Sequence, residues 1–299
     1  MTAELAAEVP AELCLRNPLA ECLAAGRLAL AMIVQKVPSS DIALAAQSCG
    51  FDALSIDLEH SVISEAQAAQ ISIAAQGVGV TPLVRVGGHD PHAIGRLLDA
   101  GAFGIIAPHV ESADEARAIV AACRFAPLGS RSVSYHWPQF GYRSLDPQAM
   151  RHALNAAVTV VVMLESPQAV ARAESIAAVP GVDIVHIGGL DLSDALGMPG
   201  RVDAPEMVAC FERVIDACHT TGRPRASAPW PATRRWRSGW CRAARAFSLR
   251  AWIGIFCWPQ HATACNRCAH WSSDRWKTSS PCWSSGCCWA ASTAWSASA

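Results

Sequence analysis

Thr159-Val-Val-Val-Met-Leu-Glu165 decides how this chain folds, and it has an echo in Asp183-Ile-Val-His-Ile-Gly-Gly-Leu-Asp191. Each is a short apolar run, rich in β-branched residues, that ends at or near a carboxylate. A run of this length and composition suits a strand buried on both faces, as in a parallel sheet covered by helices. A carboxylate just past the C-terminal end of such a strand stands where α/β barrels and open α/β sheets keep their chemistry. Two of them on successive strands could converge on one hard cation.

The same grammar repeats on the N-terminal side. After a helical or frayed lead-in over residues 1–26, strands are expected at 28–35, 51–57, 81–86, 103–107, 158–164 and 183–187. Helices are expected at 41–48 (capped by Ser39 or Ser40), 64–76, 91–100, 112–123, 146–155 and 167–178, with helical segments on to 220. Asp90 before Pro91 is a cap followed by proline at the first turn, and Ser112-Ala-Asp-Glu115 reads as a capping box. Six successive strand-then-helix units predict a parallel α/β fold, and eight would close a barrel. Read literally, the chain lacks the last two, which leaves an open sheet with two edges.

Charge and composition break at Pro224. Residues 1–223 hold 14 Lys+Arg against 24 Asp+Glu, whereas 224–299 hold 10 against 1. Of 11 Trp, only Trp137 precedes the break, and seven of the 13 Cys follow it. Three readings of this tail compete. It is a disordered basic tail, although such tails are poor in aromatics. It is a zinc module on Cys265 and Cys268 with His261 and His270, although one such pair is a weak signal. Or it is read out of frame.

The third reading can be tested on the letters. When codons are formed from the last base of one residue and the first two of the next, Trp252-Ile253 yields only Asp. Phe256-Cys257 and Cys257-Trp258 yield only Leu, and Trp258-Pro259 only Ala. Arg225-Ala-Ser-Ala228 permits Gly-Ile-Gly, a plausible seventh strand. On this reading the tail's positive charge says nothing about nucleic acid. The early cysteines lack disulfide or metal spacing, no signal peptide is visible, and no apolar run approaches the roughly 20 residues of a membrane span. A cytoplasmic chain with no nucleic-acid or membrane partner is expected.

Phe51-Asp-Ala-Leu-Ser-Ile-Asp-Leu-Glu-His60, Pro82-Leu-Val-Arg85, Leu97-Leu-Asp-Ala-Gly101, Val162-Met-Leu-Glu165 and Ile187-Gly-Gly-Leu-Asp-Leu-Ser193 carry a resemblance. In this order and spacing, residues 27–223 resemble the HpcH/HpaI aldolase (citrate lyase-like) family. The resemblance implies a (β/α)8 TIM barrel of the phosphoenolpyruvate/pyruvate type, with six units intact and the last two, in 224–299, disrupted. It implies class II, metal-dependent cleavage of a 4-hydroxy-2-oxo acid to pyruvate and an aldehyde. It also implies a homo-oligomer if the C-terminus were in frame.

By the same resemblance Glu165 and Asp191 are the ligands of Mg²⁺ or Mn²⁺, with Co²⁺ as a further choice. Such an oxygen-rich set suits hard cations; the plainer alternative makes both residues helix caps. His60 and Asp99 match an acid–base pair. Against that stand a strand-end histidine bonded to backbone and an aspartate on a solvated helix face. Arg85 matches the arginine facing the enolate oxygen, and Gly188, Gly189 and Leu190 match the turn that binds the pyruvate carboxylate. Asp57 and Glu59, beside His60, are candidates for holding water on the metal, and His109 either lines the pocket or is an incidental loop residue.

Two positions depart from the family pattern: Met163 replaces a polar Gln, and 32–35 lacks an aromatic. Both bear on the substrate rather than the reaction. The rivals are a CoA-ester lyase of the citrate lyase β type, which would need a nucleotide pocket for which no Gly-rich phosphate loop is found, and a non-catalytic frameshifted product with a Cys/His/Arg-rich tail. The literal chain is expected to be unstable and nearly inactive.

Overall fold

The computed structural model describes residue 13, residues 15–223, and the backbone of 225–227 and 252–257. These fall within the first of two units of the chain, residues 1–261. The readings of the tail as a zinc module, a basic tail or a shifted frame lie outside the described residues, apart from those two backbone stretches.

Six strands follow one another in parallel register: β1 (Ala29–Val34), β2 (Ala53–Asp57), β3 (Thr81–Arg85), β4 (Gly104–Ala107), β5 (Thr159–Leu164) and β6 (Ile184–Ile187). The helices between them are α2 (Asp41–Ser48), α3 (Glu65–Gly77), α4 (Pro91–Asp99), α5 (Ala113–Cys123), α6 (Pro147–Ala157), α7 (Pro167–Ala171) and α8 (Ala173–Ala177). After β6 come α9 (Gly189–Ala195) and α10 (Pro205–Thr221). β2 and β5 are buried at every position, and the twofold alternation of a strand divides those residues between two cores. Val160, Val162, Leu164, Val185 and Ile187 face the helices. Ala53, Leu83, Ile106, Val161, Met163 and Ile184 fill the lumen.

The lumen is closed from its N-terminal end by a helix, α1 (Pro18–Ala24), whose Leu19, Cys22 and Leu23 join the lumenal core. Asn17 fastens it there. Its side-chain amide donates to Ala157 O (2.7 Å) and Thr159 Oγ1 (3.1 Å), and its carbonyl accepts from Ala20 N. The stretch expected as a lead-in is therefore in part the floor of the barrel.

The ring is not an open six-stranded sheet. β7 (Arg225–Ser227) pairs in parallel with β6, and β8 (Trp252–Cys257) closes the circle between β7 and β1. Unlike the last strand of a (β/α)8 barrel, β8 runs antiparallel to both neighbours. Backbone donors and acceptors on an exposed sheet edge accept any extended partner of either direction, so an edge can be covered without the matching βα unit.

Most caps fall where the sequence puts them. Asp90 accepts from His92 N and Ala93 N at the start of α4. Ser112 caps α5 through Glu115 N, but the reciprocal half of the box is missing, because Glu115 Oε2 takes the N–H of Glu111 instead.

Candidate active site

Asp57 and Arg85 end adjacent strands and stand opposite one another in register. Their side chains form a fork. Arg85 Nε donates to Asp57 Oδ1 at 2.9 Å, and a second guanidinium nitrogen donates to Oδ2. Asp57 is wholly buried and also receives Gln35 Nε2 at 2.6 Å and the main-chain N–H groups of Glu59 (2.9 Å) and His60 (3.2 Å). Burial pushes this carboxyl up, but the bonds from Arg85 and Gln35 and the Arg85 charge outweigh it, leaving it below its ordinary range. Asp57 thus organises the 57–60 turn and aims Arg85. With this set of protein partners it is not the water holder that its position suggested.

The third guanidinium nitrogen of Arg85 lies 3.2 Å from Glu59 Oε2, close enough for attraction but outside hydrogen-bond alignment. That buried oxygen has no hydrogen-bond partner among the described residues. Glu59 Oε1 meets His109 Nε2 at 2.9 Å. His109 in turn reaches Glu165, whose Oε2 lies 2.8 Å from the His109 main-chain N and 3.1 Å from Nδ1.

Glu165 follows β5 and is 4% exposed. Burial pushes its carboxyl up, the His109 N–H and charge pull it down, and the charges of Asp191 and Glu59 push it up again; the net shift is upward. The Arg85 guanidinium feels the charge of Glu165 as well. A β-carbon built on Gly188 would lie 2.2 Å from Glu165 Oε1, so the carboxylate rests directly on that glycine.

The sequence-predicted residues divide cleanly. Glu165 comes within electrostatic reach of both Asp191 and Arg85 at the C-terminal mouth of the strands. Asp191 is exposed in the first turn of α9. His60 is exposed at the same mouth, its Nε2 3.7 Å from Glu59 Oε2. Among the described residues, no group of three or more His, Cys, Asp or Glu side chains gathers as a metal cage.

Two expectations are corrected. Asp99 is the last residue of α4, which runs back from the end of β3 towards the start of β4, so it lies at the opposite end of the barrel from His60. Its Oδ1 accepts from Arg131 (2.6 Å) and from Trp137 Nε1 (2.9 Å), and within one chain it does not reach His60. Gly188 N donates to Leu164 O (3.1 Å), so this N–H belongs to the sheet rather than to a carboxylate-binding turn. Gly189 and Leu190 remain in the first turn of α9.

Sequence reasoning left His109 undecided and passed over His186. His186 lies on β6 one side-chain layer below Gly188, beside Met163 in register. Neither of its ring nitrogens has a hydrogen-bond partner among the described residues. A histidine between Ile184 and Gly188, at a lumen-facing position, was the available signal.

Buried and half-buried carboxylates around one guanidinium, at the C-terminal mouth of an α/β barrel, define an enzyme site of the barrel class. The comparisons narrow it. Residues 35–228 match the model of the HpcH/HpaI aldolase/citrate lyase family. The chain is 42% identical over 206 residues to a 4-hydroxy-4-methyl-2-oxoglutarate aldolase of Chaetomium globosum, covering 67% of this chain and 75% of that one. It is 39% identical over 213 residues to an enzyme of the same name from Hapsidospora irregularis, covering 69% and 77%. The crystal structure of an HpcH/HpaI aldolase from Desulfitobacterium hafniense superposes with a TM-score of 0.69 at 29% identity, covering 75% of this chain and 85% of that one. The chain belongs to the HpcH/HpaI aldolase/citrate lyase family, and with it to the carbon–carbon lyases.

Proposed function

We propose that the chain is a class II aldolase that cleaves a 4-hydroxy-2-oxo acid to pyruvate and an aldehyde, with a divalent cation held by Glu165 and Asp191. The observation that carries this is the crowding of negative charge. Glu165 is buried within reach of both Asp191 and Glu59, an arrangement that costs free energy until a cation shares it. Two further features fit a cation. Glu59 Oε2 is buried without a hydrogen-bond partner among the described residues, and Gly188 leaves room only for the Glu165 carboxylate. A bound Mg²⁺, Mn²⁺ or Co²⁺ supplies Lewis-acid polarisation of the 2-oxo group and stabilises enolate charge.

The chain's own groups take the remaining roles. Arg85, aimed by Asp57, faces the oxygen on which negative charge develops. His60 takes the proton of the 4-hydroxyl. The C3–C4 bond then breaks, its electron pair passes into the enolate, and the aldehyde departs; a proton delivered to C3 yields pyruvate. Gly189 and Leu190, in the first turn of α9, receive the substrate carboxylate. Aldolases of a methylated oxoglutarate among the relatives favour a substrate with a second carboxylate.

The reading extends to the whole chain. Residues 27–223 carry the site, 224–299 are out of frame, and an in-frame chain assembles as a cytoplasmic homo-oligomer. Among the described residues no helix is long and apolar enough to cross a membrane.

Pyruvate release from 4-hydroxy-4-methyl-2-oxoglutarate, whose tertiary C4 leaves as a second pyruvate in place of an aldehyde, tests the assignment. Turnover, slow in the chain as written and faster in a frame-restored one, is expected with Mg²⁺ or Mn²⁺, to vanish with chelator, and to fall at least about 100-fold in Glu165→Gln. Release only from a CoA thioester would favour the citrate lyase β type instead, and turnover indifferent to both chelator and substitution would remove the metal role.

A further inference from the structure

His109 is the described residue that ties the two sides of the site together. It follows Pro108 after β4 and adopts a left-handed backbone, φ 53°. This conformation is uncommon for a residue with a β-carbon and persists only where the surroundings hold it. Here it sends the main-chain N–H and ring Nδ1 to the same oxygen, Glu165 Oε2, at 2.8 and 3.1 Å. The other ring nitrogen, Nε2, reaches Glu59 Oε1 at 2.9 Å. His109 therefore engages each carboxylate through one oxygen, and Glu59 Oε2 faces Arg85 at 3.2 Å as an ion pair without a hydrogen bond. The opposite oxygens are Glu165 Oε1, resting over Gly188, and Glu59 Oε2, buried without a hydrogen-bond partner among the described residues.

We propose that His109 is a positioning residue for the cation site: it fixes Glu165 and Glu59 through one oxygen each, leaving Glu165 Oε1 for a divalent ion and Glu59 Oε2, beside Arg85, to accept a hydrogen bond from the ion's water. This rests on the metal-dependent reading above and adds to it which oxygens are offered and what holds them. The ring itself contributes no metal bond, because both of its nitrogens are engaged by carboxylates.

The two halves of the clamp can be separated. His109→Gly keeps the left-handed backbone, and so the N–H to Glu165, but removes the ring. His109→Asn also tolerates this backbone, and its side chain is too short to bridge both glutamates. Titration with Mn²⁺ followed by electron paramagnetic resonance reads affinity without any turnover. Both variants are expected to bind Mn²⁺ about 10-fold more weakly, the lower end of what removing a ligand's supporting contact costs. Neither is expected to melt lower, since relief of the strained backbone offsets the lost ring contacts. Turnover should recover when Mn²⁺ is raised above the new dissociation constant. A merely structural histidine would shift the melt and leave Mn²⁺ affinity alone, and unchanged affinity in both variants overturns the inference. Pyruvate release by an unaltered chain that binds no Mn²⁺ would instead bring down the metal reading, and this inference with it.

Discussion

His186 shows what an unpartnered polar side chain costs inside a barrel. Burial, and then the charge of Arg85, pull its pKa down to about 4. In the unfolded chain the same imidazole titrates near 6.5. As pH falls through 6.5 the unfolded state takes up a proton that the folded state refuses, so stability is lost down to about pH 4. His186→Leu should therefore flatten the acid limb of the stability curve, saving on the order of 2 kcal/mol between about pH 6.5 and about pH 5. Urea midpoints of both proteins across this range would measure it, and parallel curves would show that His186 does not carry the effect.

Among elements, α4 and the loop beyond α5 carry the clearest lesson. Asp99 ends α4 and accepts from Arg131 and Trp137. The guanidinium of Arg131 lies 4.4 Å from the Phe125 ring centre, and Trp137 packs edge-on against Phe125 and Phe140. These aromatics, with Met150 and Leu154, form a small core of their own. Asp99→Ala would strand the buried Arg131 charge, lowering stability by about 3 kcal/mol. In a thermal melt this should appear as a lower midpoint, while kcat at a temperature where the variant is folded stays within about twofold; a selective loss of kcat would restore Asp99 to the chemistry. The helix itself was legible, from the Asp90 cap, Pro91 and the apolar spacing of Ile94, Leu97 and Leu98. Its length also implied that Asp99 ends far from β3, since nine residues rise about 13 Å. A motif match says only that a residue is present; helix direction says which end of the barrel it occupies. Glu165 and Arg85 were legible because strand ends are legible, whereas the His109 contacts depend on one left-handed residue that no periodicity announces.

The whole molecule sets a different problem, because the barrel's first six strands follow the rules of a parallel sheet and its last does not. The succession of short apolar runs between residues 28 and 187 was enough to order those six strands, since each must bury both faces. Trp252-Ile-Gly-Ile-Phe-Cys257 is an apolar run too, but it lies antiparallel against β1 and β7. A gene shifted by one base between the codons for Gly222 and Ala228 would encode Leu-Leu-Ala in place of Phe256-Cys-Trp-Pro259. Its product is expected to melt higher by roughly 10 °C or more, as befits several kcal/mol of restored helix-on-sheet packing, and to turn over faster. A soluble, cooperatively melting 299-residue chain with undiminished turnover would instead show that the tail is genuine.

The neighbouring glycines at 188 and 189 have unequal futures. A methyl group at 189 would meet Phe211 and Val202 at 3.6 Å, an ordinary contact, whereas at 188 it would displace the glutamate it touches. Drift toward new substrates can therefore pass through 189 and the solvent-facing Leu190, but every lineage that keeps the buried acid inherits a position where hydrogen alone is admitted.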